Sequence, residues 1–194
     1  MNMFLNKFCL GTANFGLNYG VIGKPKVDDN NIRLCLNFLE KEKINTIDTA
    51  IGYGDSEERL GSIGIKNFNV VSKLPPIPKD IKKIEDWAVS LFKSSLINTK
   101  KNFYYGFLFH KPSDLLTQDG KVIYNTLKQL KKDKLIRKIG ISIYSPEELN
   151  NLLDKYDFDL VQGPVNIFDQ RLEKSDLLDE LFSLPVQILS FKSG

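Results

Sequence analysis

The 194-residue sequence has only two cysteines, Cys9 and Cys35, and a single histidine. Two cysteines are too few for a disulfide scaffold and lack metal-ligand spacing, so we expect no bound metal, small buried thiols and a reducing cytoplasm. The longest nearly uninterrupted apolar run, Phe103–Phe109, covers seven residues, whereas a transmembrane helix needs roughly 20. No long apolar stretch follows a basic segment near residue 1, so the pattern predicts neither a membrane span nor a secretory signal.

A large excess of one charge is also missing. The chain has 27 basic and 24 acidic residues, a net charge of +3, and this balance does not call for a nucleic acid or an anionic membrane as partner. Six basic residues do lie between residues 128 and 138. We interpret them as the solvated end of a helix, where cations face the negative pole, in preference to a nucleic-acid patch.

Apolar residues, in contrast, make up 42% of the chain, which is enough for the core of one domain over residues 1–194. Short apolar stretches predict strands buried on both faces, at Lys7–Thr12, Asn45–Thr49, Phe68–Leu74, Tyr104–His110, Arg137–Ile143, Asp159–Pro164 and Val186–Phe191. Helical patterns lie between them, at Ile32–Leu39, Asp80–Leu96, Lys121–Leu135, Leu149–Tyr156 and Glu173–Phe182. Repeating βα units of about 30 residues are typical of a (β/α)₈ barrel or an open doubly wound sheet.

Four polar side chains fall where the predicted strands end. Asp48 closes the second strand, Lys73 the third and His110 the fourth. Tyr53 follows Asp48 in a glycine-containing loop. In a parallel α/β fold the carboxyl ends of strands carry the chemistry, so these side chains converge on one mouth if the three strands are neighbours. An acid, a lysine, a phenol and an imidazole together make a proton-transfer site.

Each of the four has a structural alternative when taken alone. Asp48 also suits a helix cap or loop anchor, and Lys73 a solvated strand end. Tyr53 also suits a packing lid, and His110 a hydrogen-bonded core residue. We favour the site because four independent coincidences would otherwise have to fall at the same end of consecutive strands.

Six short motifs follow one another along the chain. They are Leu10–Gly16, Ile47–Gly54 with Ser56–Gly61, Val71–Leu74, Leu108–Pro112, Gly140–Ser142 and Val161–Asn166. In this order they resemble the aldo-keto reductase family. The second motif is the most specific of them, since it contains Asp-Thr-Ala, Tyr-Gly, Ser-Glu and Leu-Gly in succession. The stretch Gly16–Gly20 is similar to a bacterial branch of sugar- and surface-polysaccharide-related oxidoreductases.

The resemblance implies a (β/α)₈ TIM barrel that binds a nicotinamide cofactor across its mouth and reduces an aldehyde or ketone to an alcohol. NADP(H) is the expected cofactor, with NAD(H) left open, and a sugar derivative is one candidate for the small-molecule carbonyl substrate. The sequence has no Gly-x-Gly-x-x-Gly after a predicted strand, which agrees with cofactor binding without a Rossmann domain.

The resemblance also assigns roles to the four polar residues. Tyr53 is the general acid, and Lys73 lowers the pKa of its phenol from an ordinary value near 10. Asp48 pairs with Lys73, and His110 fixes the substrate carbonyl.

The cofactor-binding set implied by the family is Gly11, Thr12, Asp48, Ser142 and Gln162. Gly11 and Thr12 contribute backbone contacts, while Ser142 and Gln162 hydrogen-bond the nicotinamide carboxamide. Many relatives have Asn after the serine, where this chain has Ile143. The family's stacking residue is expected around Ser190–Phe191.

The length is short for this fold. The seventh predicted strand ends at Phe191, and an eighth βα unit would take the chain about 50 residues further. We therefore expect an incomplete barrel of about seven strands, truncated at its C-terminus, whose open edges allow self-association.

Three functions stay open at this point. The first is the reductase. The second is a catalytically impaired, reductase-derived binding protein or a truncated fragment. The third is a Schiff-base aldolase that uses Lys73 as its nucleophile.

Overall fold

The computed structural model describes residues 8–18, 25–164, 169–172, 174–175, 177–183 and 187–191. Its strands form one parallel sheet in sequence order, β1 to β7. Their bounds are β1 Leu10–Gly11, β2 Thr46–Asp48, β3 Asn69–Leu74, β4 Tyr104–Phe109, β5 Ile136–Ser142, β6 Leu160–Pro164 and β7 Gln187–Phe191. The seven strands curl into part of a barrel, which confirms the predicted incomplete (β/α)₈ architecture. Lys7 and Val186, where two predicted strands begin, lie outside the described residues.

Helices separate the strands along the chain. Within the described ranges they are α1 Ala13–Gly16, α2 Asp29–Lys41, α3 Ser56–Ile63, α4 Ile84–Thr99, α5 Gln118–Lys132, α6 Glu147–Leu153 and α7 Leu177–Ser183, with a 3₁₀ helix at Pro112–Leu116. In this part of the chain no helix has the length and apolar character needed to cross a membrane. The short α1 and the 3₁₀ helix carry too few residues to show a periodic pattern in the sequence.

The helix predicted over Asp80–Leu96 begins later than expected, at Ile84. Asp80 has a left-handed φ of 65°, which no α-helical residue adopts. The helix also runs past its predicted end and stops at Lys100, whose φ of 52° is left-handed as well.

The helix predicted over Lys121–Leu135 is shifted towards the N-terminus. It begins at Gln118 because the hydroxyl of Thr117 accepts a hydrogen bond from the amide of Gly120, a side-chain cap that fixes the first turn. It ends at Lys132, and Lys134, with a left-handed φ of 63°, reverses the chain into β5.

The last two helices are shorter than their apolar patterns. The pattern through Tyr156 gives a helix that stops at Leu153. The helix predicted over Glu173–Phe182 spans Leu177–Ser183, and Glu173 itself lies outside the described residues.

The thiols differ from expectation. Cys35 is exposed and Cys9 is only partly buried, so the prediction that both thiols are buried is wrong. On α2 the buried stripe is formed by Ile32, Leu36 and Leu39, and Cys35 falls outside it.

Two apolar clusters pack on opposite faces of the sheet. The larger lies between the sheet and the helices, whereas the smaller consists of Val71, Leu108 and Leu160 inside the barrel. Side chains two residues apart share one face of a strand. The residues that follow this inner cluster by two positions therefore lie above it, at the carboxyl end of the barrel.

Candidate active site

Three of the residues above the inner cluster belong to the predicted tetrad or cofactor set: Lys73 on β3, His110 just after β4 and Gln162 on β6. Strands β2, β3 and β4 are direct neighbours, as the convergence of the tetrad required. Asp48, at the end of β2, pairs in register with Val71, so its strand end adjoins that of Lys73. The structure thus brings Asp48, Lys73 and His110 to one mouth.

Asp48 and Lys73 form a buried ion pair. The ammonium of Lys73 donates to Asp48 Oδ1 at 2.7 Å and to the carbonyl of Thr49 at 3.0 Å. Lys73 is 1% exposed. A buried cation is costly unless acceptors satisfy it, and these two acceptors fix the direction of the Lys73 side chain.

Tyr53 and His110 complete the cluster. Lys73 Nζ lies 5.1 Å from the centroid of the Tyr53 ring. The Tyr53 and His110 rings meet edge to face, with centroids 5.8 Å apart and planes at 79°. The cation, the phenol and the imidazole therefore adjoin one another at the mouth.

The backbone of Tyr53 is held by a close approach of α1 to the loop after β2. A Cβ on Gly16, the last residue of α1, would lie 1.7 Å from the Tyr53 carbonyl oxygen, so only glycine allows α1 to pack there. Gly54, directly after Tyr53, has a left-handed φ of 59°, a conformation that glycine adopts without strain.

The environment of His110 favours the neutral imidazole. Burial and the nearby ammonium of Lys73 lower the pKa of His110 to about 4, and the carboxylate of Asp48 offsets part of this shift. At neutral pH the ring therefore carries one N–H donor and one acceptor nitrogen.

Gln162 and Ser142 provide a polar pair beside the tetrad. They are register partners on β6 and β5, and both are buried. Among the described residues, Gln162 Oε1 is the buried side-chain acceptor that has no hydrogen-bond partner. Such an atom is costly to leave unsatisfied, so its position fits a ligand that donates a hydrogen bond.

The other predicted cofactor contacts differ in character. Gly11 is exposed, and nothing lies within 4 Å of where its Cβ would be, so its backbone is open to a ligand. Thr12 is fully buried, and both its amide and its hydroxyl donate to the carbonyl of Asp48 at 3.0 Å. These groups join β1 to β2. The expected stacking position lies outside the described side chains, which do not include those of Ser190 and Phe191. The described residues also leave out two parts of the quoted motifs, namely Val165 with Asn166 and residues 19 and 20.

Polar residues on α3 belong to the Ser56–Gly61 motif, but the sequence assigned them no individual role. Ser56 donates to the carbonyl of Thr12 at 3.1 Å, and Arg59 donates to the carbonyls of Phe15 and Val27. Ser56 and Glu57 are buried on the helix face that also buries Leu60. A polar residue at a core-facing helical position is the signal that would have found them.

Comparison with known proteins identifies the family and the fold of this chain. The model of the Aldo/keto reductase family matches residues 7–191. A Pseudomonas aeruginosa protein assigned to the aldo-keto reductases is 26% identical, with a TM-score of 0.77 over 94% of this chain and 71% of that one. The glycerol dehydrogenase from Gluconobacter oxydans is also 26% identical, with a TM-score of 0.72 over 95% of this chain and 58% of its own.

A more distant structure shares the fold alone. The holo form of an aldo-keto reductase from Bacillus halodurans is 16% identical, with a TM-score of 0.74 over 95% of this chain and 61% of that one. No curated protein sequence matches the chain.

Proposed function

This chain belongs to the aldo/keto reductase family, and we propose that it is an NADP(H)-dependent oxidoreductase that reduces an aldehyde or ketone to an alcohol, with Tyr53 as the general acid. One observation carries the proposal. The ammonium of Lys73, held by Asp48 at 2.7 Å, lies 5.1 Å from the centroid of the Tyr53 ring. A fixed cation beside a phenol favours the phenolate that remains after the proton has moved to the substrate.

A nicotinamide cofactor, when bound, supplies the hydride. Gln162 Oε1 fits its carboxamide group, because this buried acceptor lacks a partner among the described residues. Ser142, in register with Gln162, adds a hydroxyl beside it. The open backbone of Gly11 allows close approach, while Thr12 contributes by holding that strand against Asp48.

His110 positions the substrate. With its pKa lowered to about 4 by burial and by Lys73, the neutral ring donates one hydrogen bond to the carbonyl oxygen. That bond holds the oxygen next to the Tyr53 hydroxyl, since the two rings are in edge-to-face contact. A preorganised donor of this kind acts without the reorganisation that water would require.

The contacts of Lys73 argue against a Schiff-base aldolase. A nucleophilic lysine needs a neutral amine that the substrate can reach. Here the side chain is buried and its ammonium donates to two acceptors, Asp48 and the carbonyl of Thr49. Both contacts engage the amino group that would have to attack the substrate carbonyl.

The experiment is a comparison of the wild type with Tyr53→Phe. Purified protein is titrated with NADPH and with NADH by fluorescence quenching. It is then assayed for cofactor oxidation with a panel of aldehydes and ketones that includes glyceraldehyde, chosen because one similar structure is a glycerol dehydrogenase, and sugar derivatives. We expect NADPH-dependent turnover that Tyr53→Phe nearly abolishes while cofactor binding survives.

Two results would redirect the proposal. Saturable cofactor binding without turnover on the whole panel would favour the impaired, reductase-derived binding protein. Borohydride trapping of a carbonyl substrate on Lys73, with no cofactor oxidation, would favour the aldolase.

A further inference from the structure

We propose that Glu57 is a positioning residue that holds Tyr53 at its distance from Lys73, by anchoring the first turn of α3 to the outer face of β3. This inference rests on the proposed function, in which Tyr53 donates the proton. Glu57 does not touch the mouth of the barrel. Its role follows from what its carboxylate binds on the opposite face of the sheet.

Glu57 is a buried acid that accepts two hydrogen bonds. Its Oε1 accepts from the hydroxyls of Ser72 on β3 and Ser95 on α4, both at 2.7 Å. Glu57 is 4% exposed, and among the described residues it has no salt bridge. Burial raises the pKa of Glu57, and the two serine hydroxyls oppose that shift. A buried carboxylate without a counter-ion is expensive, so its two bonds must be well formed.

Further hydroxyls extend this network behind Ser95. Ser95 Oγ lies 2.7 Å from the hydroxyl of Tyr104, which lies 2.8 Å from Thr99 Oγ1. Ser95 donates to Glu57 and Tyr104 can donate to Ser95, while Thr99 donates to the backbone carbonyl of Ser95 at 2.8 Å, so each hydroxyl has an acceptor when Glu57 accepts. A fully satisfied buried network allows one arrangement of its elements, which here are α3, α4, β3 and β4.

The network is directly coupled to the tetrad. Ser72 and Lys73 are consecutive on β3, so their side chains point to opposite faces of the sheet. At the α3 end of the Glu57–Ser72 bond, the residue before Glu57 is Ser56. Its amide donates to the carbonyl of Tyr53 at 3.1 Å. The Glu57–Ser72 bond therefore joins the segment that carries Tyr53 to the strand that carries Lys73.

Loss of this bond removes one of the links that fix α3 against β3, while the amide of Ile51 still donates to the carbonyl of Lys73 at 3.2 Å. A displacement of about 1 Å at a reacting group can lower a rate about 100-fold. We therefore expect removal of the acceptor to lower kcat while leaving the substrate and cofactor contacts in place.

Four variants separate positioning from general stability. Glu57→Leu removes the acceptor, whereas Glu57→Gln keeps an oxygen that both serines can reach. Ser72→Ala is the milder change and decides the question if Glu57→Leu fails to fold. Tyr124→Phe is the matched control, because it removes two partly buried hydrogen bonds between the tyrosine hydroxyl and the backbone of Asp157 without touching the tetrad.

Two measurements are made on each variant. Steady-state kinetics gives kcat and KM. The ¹³Cζ resonance of Tyr53, assigned by its disappearance in Tyr53→Phe, reports the environment of the phenol whether or not the protein is active.

We expect Glu57→Leu to lower kcat about 10- to 100-fold with KM changed less than about threefold, and to shift the Tyr53 resonance. Ser72→Ala should do the same to a smaller extent. Glu57→Gln should restore both readouts, and Tyr124→Phe should change neither, although it lowers stability. Unchanged kcat and an unmoved Tyr53 resonance in folded Glu57→Leu or Ser72→Ala would overturn the proposal. Absence of turnover in the wild type would refute the proposed function instead, and the resonance would still decide the role of Glu57.

Discussion

Breaking the buried ion pair between Asp48 and Lys73 should destabilise the protein strongly. The size of the loss in the free energy of unfolding follows from the geometry of the pair. At the 2.7 Å separation of Lys73 Nζ and Asp48 Oδ1, the attraction is about 6 kcal/mol at an effective dielectric constant of about 20. Desolvation of the two ions offsets much of it in the intact pair. Lys73→Met fills the same space but leaves the carboxylate of Asp48, 8% exposed, without its partner. We expect a loss of about 3 to 5 kcal/mol in the free energy of unfolding.

Urea unfolding followed by the fluorescence of Trp87, the single tryptophan, measures this loss. With an m-value of about 2 kcal/mol/M, the midpoint should fall by about 1.5 to 2.5 M. The double variant Asp48→Asn with Lys73→Met removes both charges and should recover about 2 kcal/mol, since residues in contact couple by up to about 3 kcal/mol. A single variant as stable as the wild type, or losses that simply add in the double variant, would refute the reasoning.

Three further predictions concern residues around the pair. NMR titration of the single histidine should give a pKa of about 4 for His110. In the unfolded chain the imidazole binds its proton near pH 6.5, so His110 should lower the free energy of unfolding as the pH falls from about 6.5 to 4. This pH dependence should be absent in His110→Gln. Gly16→Ala should lower the unfolding temperature and turnover together, because its Cβ would meet the Tyr53 carbonyl at 1.7 Å. Gln162→Leu should weaken NADPH binding at least about tenfold by fluorescence titration without lowering stability, since it removes an unsatisfied buried acceptor.

Each of these has a result that would contradict it. A His110 that titrates near its ordinary value would show that burial and Lys73 do not govern it. Gly52→Ala is the control for Gly16→Ala, because nothing lies within 4 Å of the added Cβ; equal stability of the two variants would rule out the close approach. Unchanged NADPH affinity in Gln162→Leu would show that the acceptor lies outside the cofactor site.

Much of the tetrad could be placed from the sequence. Asp48, Lys73 and His110 end three apolar strands, and parallel strands present their carboxyl ends on one side. Strand periodicity placed each side chain at a strand end, and the structure adds that those strands are neighbours, in sequence order. The position of Tyr53 followed from the loop after Asp48, although its edge-to-face contact with His110 depends on tertiary packing.

The sequence did not reveal the buried hydrogen-bond network of Glu57, because its side chains come from different helices and strands. Glu57 looked like one of several acids in the first turn of a helix, and only its contacts with Ser72 and Ser95 show a buried network. Helix ends were misplaced for a different reason. Asp80 and Lys134 take left-handed φ values; lysine gives no signal of this conformation in the sequence, and aspartate, although enriched in it, also occurs in the first turn of helices.

The most direct test of the proposed chemistry is the fate of the transferred hydrogen. Protein is incubated with a carbonyl substrate and NADPH carrying deuterium at both C4 positions of the nicotinamide, and the alcohol is analysed by mass spectrometry. We expect one deuterium on the former carbonyl carbon with the wild type and almost none with Tyr53→Phe, which should still bind NADPH. Product formed without deuterium on carbon, or deuterium transfer by Tyr53→Phe at the wild-type rate, would contradict a reductase that uses Tyr53 as its proton donor.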